Sequence, residues 1–304
     1  MGHDDILNEL RLEDKKLEKR DFVRIEIIPK DKNKITRNKE DWDLKIDEER
    51  TLPEWYAKNV IVCQKNCWQA WEESVKINLV LDKEQVEVTD TLLFLYGSSE
   101  AEMHGSSEAV MHDSSEAVMH DSSEAVMHDS SEAVMHDSSK AVMHDSSKAV
   151  MHDSSKAEMH DSSEAVMHDS SEAVMHDSSK AEMYGSSKAV MHDSSKAEMH
   201  DSSEAVMYGS SKAVMYDSSE AEMYGSSKAV MHDSSKAEMH DSSKAVMHDS
   251  SEAVMHDSSK AEMHDSSKAE IKSKTSVAIC RDKIFVHNEA TIIKTDKVNA
   301  AEVN

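Results

Sequence analysis

The chain has 304 residues and a formal net charge of −26, with 32% charged and only 4% aromatic residues. That charge argues against direct binding to nucleic acid or to an anionic membrane, and favours solubility, a basic partner or mimicry of a polyanion. No apolar run is long enough to span a bilayer, and residues 1–20 are charged rather than signal-like, so the chain reads as cytoplasmic.

Three cysteines, Cys63, Cys67 and Cys280, are too few and too scattered for a disulfide framework, which fits a reducing compartment. From the N-terminus, Ile6, Leu7, Leu10 and Leu17 fall on one stripe of a short amphipathic helix over 4–20. The alternation FVRIEII predicts a strand over 22–28, stopped by Pro29. Thr51 and Glu54 form a candidate capping box around Pro53, so a second helix is expected over about 53–73. Its aromatics Trp55, Tyr56, Trp68 and Trp71 are the expected core of a small α+β N-terminal cap domain, residues 1–89. Strands are expected over 75–81 and 85–88.

Residues 98–273 repeat one unit, Ser-Ser-(Glu/Lys)-Ala-(Val/Glu)-Met-(His/Tyr)-(Asp/Gly), twenty-two times without insertion, the last unit ending Ile271-Lys272-Ser273. In an α-helix eight residues make about 2.2 turns, so each repeat would rotate by roughly 80° and no apolar stripe would survive. A strand alternates its side chains with period two, and this places the second Ser, the Ala and the Met inward. The units supply their own comparison. Inward positions stay Ser and Ala throughout and Met in all but the last unit, where Ile271 stands, while outward ones switch between Glu and Lys, Val and Glu, His and Tyr. The Asp-Ser or Gly-Ser that follows is turn chemistry, with Asp bonding the backbone two residues on and Gly permitting positive φ.

One strand and one turn per eight residues predict an all-β repeat, a β-solenoid. Two units per 16-residue coil give eleven coils, about 53 Å long at about 4.8 Å per coil. Inside would lie ladders of Met, Ala and Ser, the hydroxyls bonding along the stack. Low complexity and high charge would also suit a disordered tract, but disorder would not preserve phase and inward identity. The frame extends to 90–97, with Thr91, Leu93 and Leu95 inward, and to 274–281, with Thr275, Val277 and Ile279 inward, so the solenoid is expected over 90–281. Residues 282–304 form a C-terminal cap or tail.

The double unit, with its Ser-x-x-x-apolar strands and Gly or Asp turns flanked by Tyr or His, resembles the β-solenoid of bacterial ice-nucleation proteins. It also resembles the Asp-Ser-Ser/Ala-Thr-Val repeats of phage and prophage proteins, which would place the chain in a host cytoplasm. The resemblance implies the fold. At the outward Thr-x-Thr rows associated with ice binding, this chain carries Glu/Lys-x-Val/Glu instead, as at Lys140 and Val142.

Three surface patterns are candidates for function. Turn aspartates such as Asp113, Asp129 and Asp145 line an edge with carboxylates, which could occupy a basic groove as nucleic acid does or could simply repeat one turn chemistry. With 16-residue coils, Lys180, Lys196, Lys212, Lys228, Lys244 and Lys260 form an unbroken row, which becomes mostly acidic nearer the N-terminus at Glu100, Glu116, Glu132 and Glu164. Like charges at 4.8 Å repel by roughly 0.9 kcal/mol per pair in water, so something must offset the row. Seventeen histidines, His104 to His264, and Tyr184, Tyr208, Tyr216 and Tyr224 fall in two rows. These could chelate metal between imidazoles or stack as an outward ladder. Interchange with Tyr favours stacking, so no metal or other cofactor is expected, and stacked neutral imidazoles imply a response to acid.

For catalysis the repeat offers many Ser, His and Asp but none in a singular arrangement, and Cys63 and Cys67 have no nearby histidine in sequence. The expected function is therefore non-enzymatic: an acidic solenoid that binds a protein partner with a basic surface. The concrete form is a phage-derived inhibitor that mimics nucleic acid; a structural spacer and an ice-binding surface are the alternatives.

Overall fold

The computed structural model describes residues 23, 25–31, 35–46, 54–280 and 291–294. The helix expected over 4–20 and the capping pair's Thr51 lie outside them. The chain divides into two compact units, Met1–Leu81 and Asp82–Asn304.

In the first unit strand Ile25–Pro29 pairs antiparallel with Trp42–Ile46, a strand the sequence did not announce because its alternating WDLKI is buried among charged residues. The helix Glu54–Ala70 continues as a wide turn over Trp71–Val75 and a last turn over Lys76–Asn78. Of the strand expected over 75–81, only Leu79–Val80 is extended. Tyr56 and Trp71 are buried as expected, but the cluster closes on Trp42, whose ring lies 5.4 Å from that of Trp71. Trp42 Nε1 donates to the Thr36 carbonyl at 2.7 Å, which gives the buried indole its partner. Trp55 is exposed.

The second unit is a parallel β-solenoid of about 13 turns of about 16 residues. Each four-residue strand pairs with the strand sixteen residues away, as in Ala133↔Ala149 and Met135↔Met151. Alternate strands therefore build two sheets. The first starts at Gln85–Thr89 and contains Glu100–His104, Glu116–Met119 and their successors; the second starts at Leu92–Leu95 in this unit and contains Glu108–Met111 and its successors. Pairing begins with Gln85, ahead of the expected Asp90.

Inward identity follows the period-two reading. From Met103 to Met255 every methionine is fully buried, each alanine of the array is at most 6% exposed, and the second serine of each unit is buried. Complete burial of one such side chain stabilises by about 1.5–3 kcal/mol, and the ladder repeats this at every strand. Backbone bonds join consecutive coils at the strand ends too: Glu116 N–H donates to Ser99 O at 2.9 Å and His120 N–H to Met103 O at 2.9 Å. Every turn aspartate has a positive φ between 50° and 61°, the left-handed conformation that Asp tolerates better than most residues and that the Gly turns adopt without strain.

Two expectations about the stack are corrected. First, among the described residues the serines do not form a continuous ladder along the axis, although the hydroxyls of Ser259 and Ser276 meet across coils at 3.4 Å. Ser123 Oγ donates at 2.7 Å to the carbonyl of His120 in its own turn, and Ser179 does the same to His176, whereas Ser171 and Ser187 Oγ are buried without a partner. A hydroxyl rotor three residues past the carbonyl that already accepts its own backbone N–H reaches that oxygen sooner than a neighbour one coil away. Ser179→Ala is therefore expected to cost about 1 kcal/mol, and Ser171→Ala to be neutral or stabilising. Urea melts of the two variants check this; equal losses would contradict it.

Second, the C-terminal frame is shifted by one residue. Val277 pairs with Lys260 and Ala278 with Ala261, so Ser276 and Ala278 are the buried residues, while Val277 and Ile279 are only half-buried. One extra residue in the preceding turn exchanges the faces, because side chains alternate with period two. Leu93 and Leu95 are buried as expected at the other end. Of residues 282–304 only Thr291–Lys294 is described, and it extends the first sheet parallel to Val277–Cys280.

Candidate binding surface

The acidity of the stack lies on its edges. Within the 98–273 array all seventeen aspartates are turn residues, whereas the outward rows of the first sheet carry eight glutamates against seven lysines and those of the second ten against five. Asp113, Asp129 and Asp145 occupy consecutive coils of one edge. Their side chains do not bond two residues on. Instead Asp129 Oδ2 accepts the backbone N–H of Asp113 at 3.2 Å, and Asp145 Oδ2 that of Asp129 at 3.2 Å. Each carboxylate thus ties its own turn to the coil before it, and it stays more than half exposed at Asp129. The ladder is interrupted where the next turn is glycine: Asp169 and Asp193 face Gly185 and Gly209, which have no carboxylate to offer.

On the second sheet the outward lysines are neutralised along the stack. Lys140 meets Glu124 at 2.8 Å, Lys156 meets Glu172 at 2.8 Å, Lys188 meets Glu204 at 2.9 Å, Lys236 meets Glu220 at 3.2 Å and Lys268 meets Glu252 at 2.9 Å. On the first sheet Lys148 and Lys180 pair with Glu132 and Glu164 at 3.3 and 2.7 Å. The hydrogen bond from Lys180 holds the Glu164 carboxyl below its ordinary value. Lys196, Lys212, Lys228, Lys244 and Lys260 follow in consecutive coils, and none has an ion-pair partner among the described residues. The structure therefore brings the six lysines read from the sequence into one row and leaves five of them without a counter-ion among the described residues.

The imidazoles form two ring stacks. Rings from His104 to His264 and from Tyr96 to His256 follow one another with centroids 4.7–5.3 Å apart and planes within 14° of parallel. Tyrosine enters the same stacks, and Tyr224 donates to the neighbouring Glu222, a bond that pushes its phenol up to about 12. Among the described residues two clusters bring metal-ligating atoms together, Glu158 with His160 and His176, and Glu238 with His240 and His256, all within 4.8 Å. Two Zn–N bonds of about 2.1 Å span at most about 4.2 Å. Parallel rings with centroids 4.9 Å apart at His160/His176 exceed that span, so a shared ion needs the rings to leave the stack.

Burial, and next the stacked His112 ring, hold His128 below the ordinary imidazole value, against the opposing pull of Asp145 and Asp129. The ring of His144 covers its other face. A base with a lowered folded pKa takes up protons more readily when unfolded, so stability falls as pH drops from about 6.5 through the folded value. His128→Tyr keeps a ring in the stack and removes this contribution. The variant is expected to lose less stability than the parent chain between neutral pH and about pH 5.5, measured by urea midpoints, and an equal loss would contradict the assignment.

Cys63 and Cys67 are half-buried on the helix and free, with burial raising the Cys67 thiol. No helix among the described residues is long and apolar enough to cross a membrane. No protein-family model matches the chain, and neither a curated protein nor a solved structure matches it.

Proposed function

We propose that the chain is a non-enzymatic binding protein whose acidic turn edges seat in the basic groove of a protein partner, the place that groove reserves for nucleic acid. An inhibitor of phage origin is the concrete form. The observation that carries the reading is the segregation of charge: carboxylates repeat along two edges at the coil spacing, on turns of one repeated backbone geometry, while the faces between them are far less acidic. The array's net charge of −22 over about 53 Å amounts to about one charge per 2.4 Å. Duplex DNA carries one per about 1.7 Å of axis. The solenoid thus approaches the charge density that basic grooves are built to neutralise. Its backbone needs no ordering on binding, which removes a cost that a disordered acidic tail would bear.

The test is capture from host lysate at low salt, repeated as salt rises. Release of counter-ions should make retention fall steeply with salt, and the retained proteins should have basic grooves. Recovery only of proteins without such grooves would overturn the reading. The interchangeability of coils favours a second reading, a structural spacer. A spacer should tolerate deletion of residues 172–187, one whole coil, with function intact, whereas a length-matched mimic should not.

A further inference from the structure

The five uncompensated lysines are the feature that the acidic edges do not explain. They stand in a protein of net charge −26, on a sheet whose N-terminal half shows the opposite sign in the same row: Glu100, Glu116 and Glu132. Two consecutive turns next to the lysines, at Gly209 and Gly225, lack the aspartate found elsewhere on that edge. Beside this row runs a second outward row in which Val118, Val134 and Val150 occupy one end and Val214, Val230 and Val246 the other, all partly exposed. A shallow groove floored by alanines lies between the two rows.

We propose that the first sheet is the interface of a homodimer in which two copies pack face to face with antiparallel stacks, about a two-fold axis that runs along the strand direction through the coil of Lys180. That operation keeps each row opposite itself and pairs one end of the stack with the other. Lys260 then faces Glu100, Lys244 faces Glu116, Lys228 faces Glu132 and Lys196 faces Glu164. In the second row Val246, Val230 and Val214 face Val118, Val134 and Val150. The two remaining pairings in the first row, Lys212 with Lys148 and Lys180 with its own copy, are lysine with lysine; Glu132 and Glu164, which pair with Lys148 and Lys180 within one copy, are shared across the interface with Lys228 and Lys196.

The occupant is fixed by spacing. Lysines on consecutive coils repeat at about 4.8 Å, and a matching row of carboxylates at that period is what a second β-solenoid presents, whereas successive phosphates of one duplex strand advance about 3.4 Å along the axis. A face about 13 Å by 48 Å per copy buries about 1,250 Å² in total, at the lower end of stable interfaces. It is isologous, as two-fold interfaces must be. The turn edges stay outside the interface and remain free for a partner.

Sedimentation equilibrium of the full chain is expected to show a dimer that weakens as salt rises. The triple change Lys228→Glu, Lys244→Glu, Lys260→Glu makes the row acidic at both ends, and Glu100→Lys, Glu116→Lys, Glu132→Lys makes it basic at both ends, so each variant alone is expected to sediment as a monomer. Mixed in equal amounts, the two restore every opposite-charge contact and should form a heterodimer. Circular dichroism of each variant separates loss of association from loss of fold. A monomeric parent chain, a dimer that survives both charge reversals, or two folded variants that fail to associate when mixed would each overturn the proposal.

Discussion

A glutamate placed at Met167 is expected to open the stack at its centre, and the same glutamate one residue earlier, at Val166, is expected to leave it intact. Met167 is fully buried between Met151 and Met183 of the neighbouring coils. Removing its side chain alone costs about 2–5 kcal/mol, and an unpaired carboxylate in its place adds the penalty of a buried charge. A coil contacts chiefly its two neighbours, so the damage stays local and exposes two new sheet ends. Limited proteolysis should then cut near residue 167, and the urea midpoint should fall sharply. Val166 points outward, and the equivalent position is already glutamate at Glu158 and Glu182. Its replacement should stay within about 0.5 kcal/mol of the parent. If both variants behaved alike, the inward assignment would fail.

Changing Asp113 and its successors on that edge through Asp193 to asparagine is expected to leave the fold in place and to remove most of the salt-sensitive capture of a basic partner. Asparagine also tolerates positive φ, and its side-chain oxygen can accept the same N–H from the preceding coil. Six charges are lost with little other change. At about 0.2–1 kcal/mol per exposed pair, the affinity should drop by about tenfold or more, with a shallower dependence on salt. The same six positions changed to alanine should instead destabilise the stack, because alanine loses the inter-coil bond and resists the left-handed conformation by about 1–2 kcal/mol per residue. Melts and capture measured on both sets separate the two roles of the aspartates. Unchanged capture by the asparagine set would place the binding determinant elsewhere.

What could be read without coordinates was whatever the repeat stated many times. Inward Ser, Ala and Met follow from a period of two combined with invariance across units, and the 16-residue coil follows from two units that fill a narrow core. The row of six lysines and the edge of Asp113, Asp129 and Asp145 follow from that coil length alone. Places where the chain says something only once were less legible. Strand Trp42–Ile46 depends on pairing with Ile25–Pro29, in which Ile46 meets Ile25 twenty-one residues earlier, and local alternation does not reveal that. The one-residue shift at Val277 depends on how a single turn absorbs an extra residue.

The architecture of the array is written in its period, because eight residues admit a stacked strand and exclude a helix, and because alternation alone sorts core from surface. How the polar groups are satisfied emerges from the folded stack alone. Each turn carboxylate bonds across a coil rather than within its turn, the buried serines divide between those with a carbonyl and those without, and five lysines lack a counter-ion among the described residues. The physical reason is range: alternation is a property of consecutive residues, whereas a hydrogen bond or ion pair depends on atoms sixteen residues apart being brought within about 3 Å.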